Sequence, residues 1–303
     1  MAIISVEGFY DLHIHSAPAP FRRIGDSVDL AQSCAAAGMA GIVIKSHFES
    51  TVSKAYHARR EVQNFQVFSG VALNRGVGGV NPGAVELALH QGAKIVWFPT
   101  FDAENHATAF GGTGTYGFHS MTLSFKGSSR PRGRFTVLNG GQLTADAKEV
   151  IELTQAYDAI LATGHLSREE IMAVVEYALS RQHRKVLITH PEFTVPNLDI
   201  KTIEALAKQG CYMEFCGIDC FPIPQTVTTD HMKEMIEAAT PLRAVLSSDS
   251  GQPFSPKPPE TLRVFAQCLH EKGISEQDIK QMAISNSQFL LGVSAEEHAT
   301  PSA

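Results

Sequence analysis

The sequence predicts a (β/α)8 TIM barrel. Short apolar runs rich in Val and Ile recur along the chain, each followed by a segment with helix start and stop residues, and the alternation repeats eight times. The runs are continuous rather than alternating with polar residues, which suits parallel strands buried on both faces. A length of 303 residues accommodates eight βα units in one domain. An open doubly wound sheet is the alternative. It would not readily use eight units, and it favours a glycine-rich phosphate loop after the first strand, where this chain has SAPAP.

The strands are expected at YDLHIH (10–15), GIVIKSH (41–47), QVFSGVALN (66–74), KIVWFPT (94–100), AILATGH (159–165), KVLITHPE (185–192), CYMEF (211–215) and AVLSSDS (244–250). Helix starts fall between them. Ser27 precedes VDLAQSCAAAG, and Asn81-Pro82 pairs an N-cap with proline at the first helical position. Thr144 opens ADAKEVIELTQAYD, and Ser167-Arg168-Glu169-Glu170 forms a capping box. Asp199 opens IKTIEALAKQG, Thr229 precedes DHMKEMIEAAT, and Pro258-Pro259 introduces ETLRVFAQCLHEKG. The barrel is thus expected over residues 1–293, with 294–303 a frayed tail.

One connection is too long for a simple βα loop. Residues 101–143 follow the fourth strand and are rich in Gly, aromatics and Arg. RFTVLNGGQLT within them predicts a small hairpin turning at Gly140-Gly141. A segment that leaves the end of a barrel strand emerges at the C-terminal face, where the active sites of this fold lie.

Composition narrows the function. The chain is 44% hydrophobic and 18% charged, with a net charge of −6 and no long run of like charge. A nucleic-acid surface wants a basic stripe, and none is present. No stretch of 18 or more apolar residues suggests a membrane span. MAIISVEGFYD lacks the basic region of a secretory signal. Five scattered cysteines, an odd number without paired spacing, argue for reduced thiols in a cytoplasm. Cys211, Cys216 and Cys220 do not match the usual structural zinc spacing. Nothing in the sequence decides whether the barrel forms a homo-oligomer.

Thirteen histidines point toward metal chemistry, and the strand ends say where. The first strand ends in His13 and His15, the fifth in His165, the sixth in His190 and the eighth in Asp249. In a barrel these ends converge on one rim. Histidine and aspartate form a ligand set for a divalent ion, zinc foremost, with Mn, Fe or Ni as alternatives, one or two ions in number. The second strand adds Lys45 and His47, the third Asn74 and the seventh Glu214. Lys45 lies in an apolar run and would be costly to bury unpaired. Its bland role is an ion pair with Glu214 or Asp249, and its functional roles are a metal-bridging carbamate or a cation for the substrate. His106 and His119, and Arg130, Arg132 and Arg134, belong to the long connection. Arginines there suit bidentate capture of a carboxylate or phosphate, although a solvated loop explains them equally well.

DLHIHS, TGH, THP, SSDS and the closing SNSQFLLG together resemble the amidohydrolase superfamily of metal-dependent barrel hydrolases. The resemblance implies that His13, His15 and Asp249 hold one ion, and that His165 and His190 hold a second or orient the substrate. It implies no particular substrate. Two-metal members place a carbamylated lysine or a glutamate at the end of the fourth strand, and here that strand ends FPTFD. Lys45 or Glu214 is left as the candidate bridge. The expected reaction is hydrolysis of a C–N or C–O bond in an amide, cyclic imide, lactone or ester of a small anionic molecule. Asp249, His190 and Lys45 are the catalytic candidates. Lys45, His47, Asn74, His106, Arg130 and Arg132 are the substrate-binding candidates. His13, His15, His165, His190, Asp249 and Glu214 are the metal candidates. A mononuclear decarboxylase or other C–C lyase is the rival reading, and phosphoester hydrolysis a further one.

Overall fold

The eight apolar runs form eight parallel strands: β1 (Tyr10–His15), β2 (Gly41–Lys45), β3 (Gln66–Ala72), β4 (Ile95–Trp97), β7 (Ile160–Ala162), β8 (Val186–Thr189), β9 (Tyr212–Cys216) and β10 (Ala244–Ser247). They lie in the order β1-β2-β3-β4-β7-β8-β9-β10. The structure is a computed structural model that describes residues 3–116 and 133–293. The barrel closes between its last strand and its first through a parallel bridge from Ile14 to Ser250. His15 N–H donates to Ser250 O at 2.8 Å there, and Ser248 N–H donates to the Asp11 carboxylate at 3.0 Å.

Burial on both faces divides the core in two. Tyr10, Leu12, Val43, Ile95, Trp97, Leu187 and Val245 fill the barrel interior, joined by Leu290 and Leu291. Ile14, Ile42, Ile44, Val67, Val96, Leu161 and Ile188 face the surrounding helices. Each such side chain removed from water contributes about 1.5–3 kcal/mol. The closing motif SNSQFLLG therefore has a packing role. It forms α11 (Asn286–Leu291), in which Asn286 Nδ2 donates to Pro241 O and Ala244 O at 2.8 and 2.6 Å.

Most caps stand where the sequence puts them. Thr144 caps α5 (Ala145–Ala156), Ser167 and Glu170 form the capping box of α6 (Arg168–Ser180), and Asp199 caps α7 (Ile200–Lys208). Asn81 caps α3 (Pro82–His90), with Pro82 in the first turn. Two starts shift by one residue. Asp26, not Ser27, caps α1 (Ser27–Ala36), because its carboxylate reaches two amides while Asp29 bonds back to the Asp26 N–H. Thr228 rather than Thr229 caps α8 (Thr229–Ala239).

The long connection begins with α4 (Glu104–Phe110) and ends in the expected hairpin, β5 (Leu138–Asn139) against β6 (Gln142–Leu143). Gly140 and Gly141 turn it at φ +58° and +79°. His119, Arg130, Arg132 and the 294–303 tail lie outside the described residues. Among the described residues no helix is long and apolar enough to cross a membrane.

Candidate active site

Strict alternation places His13 and His15 on one face and Leu12 on the other. The structure solves this differently. The β1–β2 register slips between Asp11 and Ile14, a bulge that admits an extra residue on one side of the strand. Leu12 packs in the barrel interior, Ile14 packs outside it, and both imidazoles look into the mouth. His13 Nε2 and His15 Nε2 lie 3.3 and 3.0 Å from the same Asp249 oxygen, Oδ1. One donor atom from each of these three residues fits within 4.8 Å of the others.

The other rim histidines complete the arc. The His165 and His190 rings are 4.9 Å apart, and the His190 ring is 5.9 Å from that of His13. Backbone strain marks two of the positions: His190 has φ +27° and Asp249 φ +51°, conformations that non-glycine residues adopt at a cost. Gly164 makes the turn into His165 with φ +59°, and a Cβ there would lie 2.3 Å from Phe98 O.

Hydrogen bonds decide which nitrogens are free. His106 Nε2 sits 2.8 Å from Thr115 O, a group that only accepts, so this nitrogen carries the proton. The neutral ring then accepts at Nδ1 from the His165 Nδ1–H, 2.7 Å away. His165 Nε2 is left with its lone pair. Glu214 acts on His13 in the same manner, with its Oε2 3.3 Å from Nδ1. Burial raises the Glu214 pKa to about 7, and the positive charge of Lys45 opposes that rise. These contacts resemble the carboxylate and carbonyl partners that orient metal-binding imidazoles. Burial also pushes His13 and His190 down to about 3, and His15, His165 and His47 well below the usual histidine range. All five rings are therefore neutral near pH 7, the form that donates a lone pair to a metal.

Asp249 Oδ1 and His190 Nδ1 are buried without a hydrogen-bond partner among the described residues. Donor atoms from two imidazoles and a carboxylate converge here, and the set fits a divalent cation once the Lys45 ammonium yields His13 Nε2. Lys45 Nζ, 2.8 Å from His13 Nε2 and 5.1 Å above the Trp97 ring, shares the crowded centre. Its burial lowers its pKa, against the pull of Asp249 and Glu214. The expected ion pair is not made: Lys45 has no carboxylate within 4.0 Å among the described residues.

The site residues separate by position. A cavity of about 220 Å³ opens over the cluster and is lined by His13, His15, Lys45, His47, His165, His190 and Asp249. Asn74, expected to contact substrate, is not among the lining residues. Its Oδ1 accepts from Thr100 N–H and Asp102 N–H, and its Nδ2 donates to His47 O and Thr100 Oγ1. With every polar atom engaged, Asn74 braces the β3 and β4 ends instead. His106 lies behind His165 and orients it. Glu214 lies behind His13, at the ring nitrogen opposite the one facing Asp249. It and the Cys216 sulfur make a second close group with His13, but burial holds that thiol well above its usual pKa and so protonated. Arg134 points to solvent and pairs with Glu104 at 2.9 Å.

Arg23, Tyr116, Asp219 and Gln252 are among the cavity residues that have no counterpart in the sequence reading. Tyr116 Oη contacts His47 Nε2 at 3.2 Å. Asp219 and Glu192 are buried together, and burial raises both carboxyl pKa values, aided by the charge of Asp249 on Asp219 and of Asp219 on Glu192. Only the rule that loops after strands face the mouth pointed toward these residues.

No curated protein matches the sequence. Solved structures match the fold along nearly the whole chain. An amidohydrolase from Pseudomonas aeruginosa superposes with a TM-score of 0.63 at 10% identity, covering 94% of this chain and 95% of that one. A dipeptidase described as a metallopeptidase of family M19 gives 0.63 at 10% identity, covering 96% and 99%. The organophosphorus hydrolase from Deinococcus radiodurans gives 0.58 at 12%, covering 94% and 92%. At such identities the likeness is one of fold: this is the barrel that amidohydrolases use. Residues 8–214 match the model of DUF6282, described as a family of unknown function, and the chain belongs to that family.

Proposed function

We propose that this chain is a metal-dependent hydrolase that cleaves a C–N or C–O bond of a small molecule. One observation carries the reading: the Nε2 atoms of His13 and His15 meet Asp249 Oδ1 at 3.3 and 3.0 Å, with no hydrogen bond satisfying that oxygen among the described residues. His13, His15 and Asp249 would hold an ion, and His165 and His190 lie beside them. The fold neighbours, hydrolases by their descriptions, support the same reading.

A bound divalent ion would supply Lewis acidity, which activates water near neutral pH and polarises a carbonyl. The protein's own groups do the rest. Asp249 is positioned to take a proton from the attacking water and pass it to the leaving group. Glu214 and His106 fix the rings of His13 and His165. Lys45, buried beside His13 Nε2, faces the same cavity and would place a hydrogen bond on a developing oxyanion. Phe110 and Phe193 wall the cavity and reduce access of bulk water.

The mononuclear lyase reading has one observation in its favour. Trp97, wholly buried, occupies the end of β4, where a bridging ligand would stand. Metal analysis of the purified protein, followed by a screen of lactones, cyclic imides and N-acyl compounds, tests the proposal. Hydrolysis that is abolished by chelation and restored by zinc or manganese is expected. Release of CO2 from a carboxylated substrate, with no hydrolysis across the screen, would replace it with the lyase.

A further inference from the structure

We propose that Arg23 is an anion anchor in this cavity, and that the molecule bound there carries a carboxylate paired with its guanidinium. This deepens the hydrolase reading and rests on it for the fate of the ligand, but not for its binding.

Arg23 lines the cavity. Its Nε and Nη1 are buried and lack any hydrogen-bond partner among the described residues. Among the described residues it makes no ion pair either, and burial lowers its pKa despite the favourable charge of Asp249. An arginine stays charged at any ordinary pH, so burying it unpaired is expensive. Its neighbour Arg22 is exposed to solvent, which shows that the chain has room to turn a guanidinium outward here.

The backbone on both sides is clamped. Phe21 packs edge-on against Phe101 and Phe48, with ring centroids 5.5 and 5.9 Å apart. Ile24 N–H donates to Gly251 O at 3.1 Å, and Ala17 N–H donates to Gly25 O at 2.9 Å. The position of Arg23 is therefore built in. A fixed cation with unpaired donors at Nε and Nη1, opening on a cavity, suits the oxygen of a bound carboxylate. A phosphate shares this chemistry but carries more charge, and among the cavity cations Lys45 already donates to His13. The carboxylate is the better match. Phe110, Phe193, Ile218, Pro224 and Phe254 make up the apolar wall, so the ligand also carries an apolar part.

The test uses the full chain in its metal-loaded form. Hippurate and 3-phenylpropionate, their methyl esters and phenyl phosphate are titrated calorimetrically into the parent, Arg23→Met and Arg23→Lys, with metal content measured for each. The carboxylates should bind the parent. Arg23→Met should weaken them by about 30-fold or more, as expected for one partner of a buried charge pair, and leave ester binding unchanged. Arg23→Lys should retain part of the affinity. Arg23→Met should also melt no lower than the parent, since it removes an unpaired buried charge. Failure of both carboxylates to bind overturns the proposal. So does equal affinity for acid and ester, an unaffected Arg23→Met, or a variant that melts lower and binds every probe worse. Phenyl phosphate bound more tightly than either acid through Arg23 would overturn the carboxylate assignment. Turnover is read separately: Arg23-dependent binding without hydrolysis of any compound in the screen sinks the hydrolase reading alone, and hydrolysis indifferent to the ligand's charge sinks the anchor alone.

Discussion

Asp249 has two duties in the proposed chemistry, and one substitution separates them. Asp249→Asn keeps the shape of the side chain and an oxygen for the ion, but it cannot accept a proton. Metal content measured by atomic emission should fall only partly, while turnover falls by ~10²–10⁴. His13→Ala should instead lose metal and turnover together. Full kcat in Asp249→Asn at neutral pH would exclude the hydrolytic mechanism. A subtler case is His106, which never reaches the cavity yet fixes the tautomer of His165 through the 2.7 Å Nδ1 contact. His106→Ala should weaken metal binding at the His165 side by about 10–100-fold, the usual cost of removing an orienting partner. Metal titration in a competitive chelator reads this directly, and unchanged affinity would show that His165 needs no support. Neither His106 nor Arg23 was assignable to its role from the sequence. Their roles depend on which atom faces which, a property of three-dimensional packing, whereas ligands at strand ends follow from period and position.

At the level of elements, the strands were legible because burial on both faces forces continuous apolar runs, and the caps because each side chain bonds its own helix. The β1 bulge was not. Nothing in YDLHIH distinguishes a regular strand from one that slips, since the slip answers to the partner strand and to closure at Ser250. Residues 117–132 of the long connection lie outside the described structure, so the expected roles of Arg130 and Arg132 stand as proposals. The closure itself rests on Gly251. Its φ is +129°, and a Cβ would lie 1.9 Å from His15 O. Gly251→Ala must therefore push β1 away from the loop after β10, moving His15 and Asp249 apart. The backbone strain alone costs about 1–3 kcal/mol. Thermal melts should show a clear loss of stability, and metal content should fall although no ligand has been changed. An alanine variant with normal melting and normal metal would mean that the closure relaxes freely.

For the molecule as a whole, the barrel keeps two rigid apolar layers and spends their stability on one wet, crowded end. Neutral histidines, an unpaired guanidinium, a buried lysine and raised carboxyls all disfavour the folded state there. A cation that binds only the folded form offsets this by about 2.7 kcal/mol at a hundredfold excess over its Kd, so chelation should lower the melting temperature by about 5 °C or more. The Asp219–Glu192 pair gives this strain a pH signature. Burial and like charge raise the Asp219 pKa above its value in the unfolded chain. Between the two values the folded state holds a proton that the unfolded state has lost. The stability tied to Asp219 is therefore complete below pH ~4, the ordinary carboxylate range, and is lost as the pH rises through the folded value. Asp219→Asn removes the titration and eases Glu192 at once, while asparagine still offers an oxygen to Thr226, whose hydroxyl bonds Asp219 Oδ1 at 2.9 Å. Melting curves from pH 5 to 9 on chelated protein should therefore show the variant gaining on the parent as the pH rises. A difference that stays constant across that range would mean that Asp219 is charged in the folded protein throughout, and that the pair finds a counter-charge at the mouth.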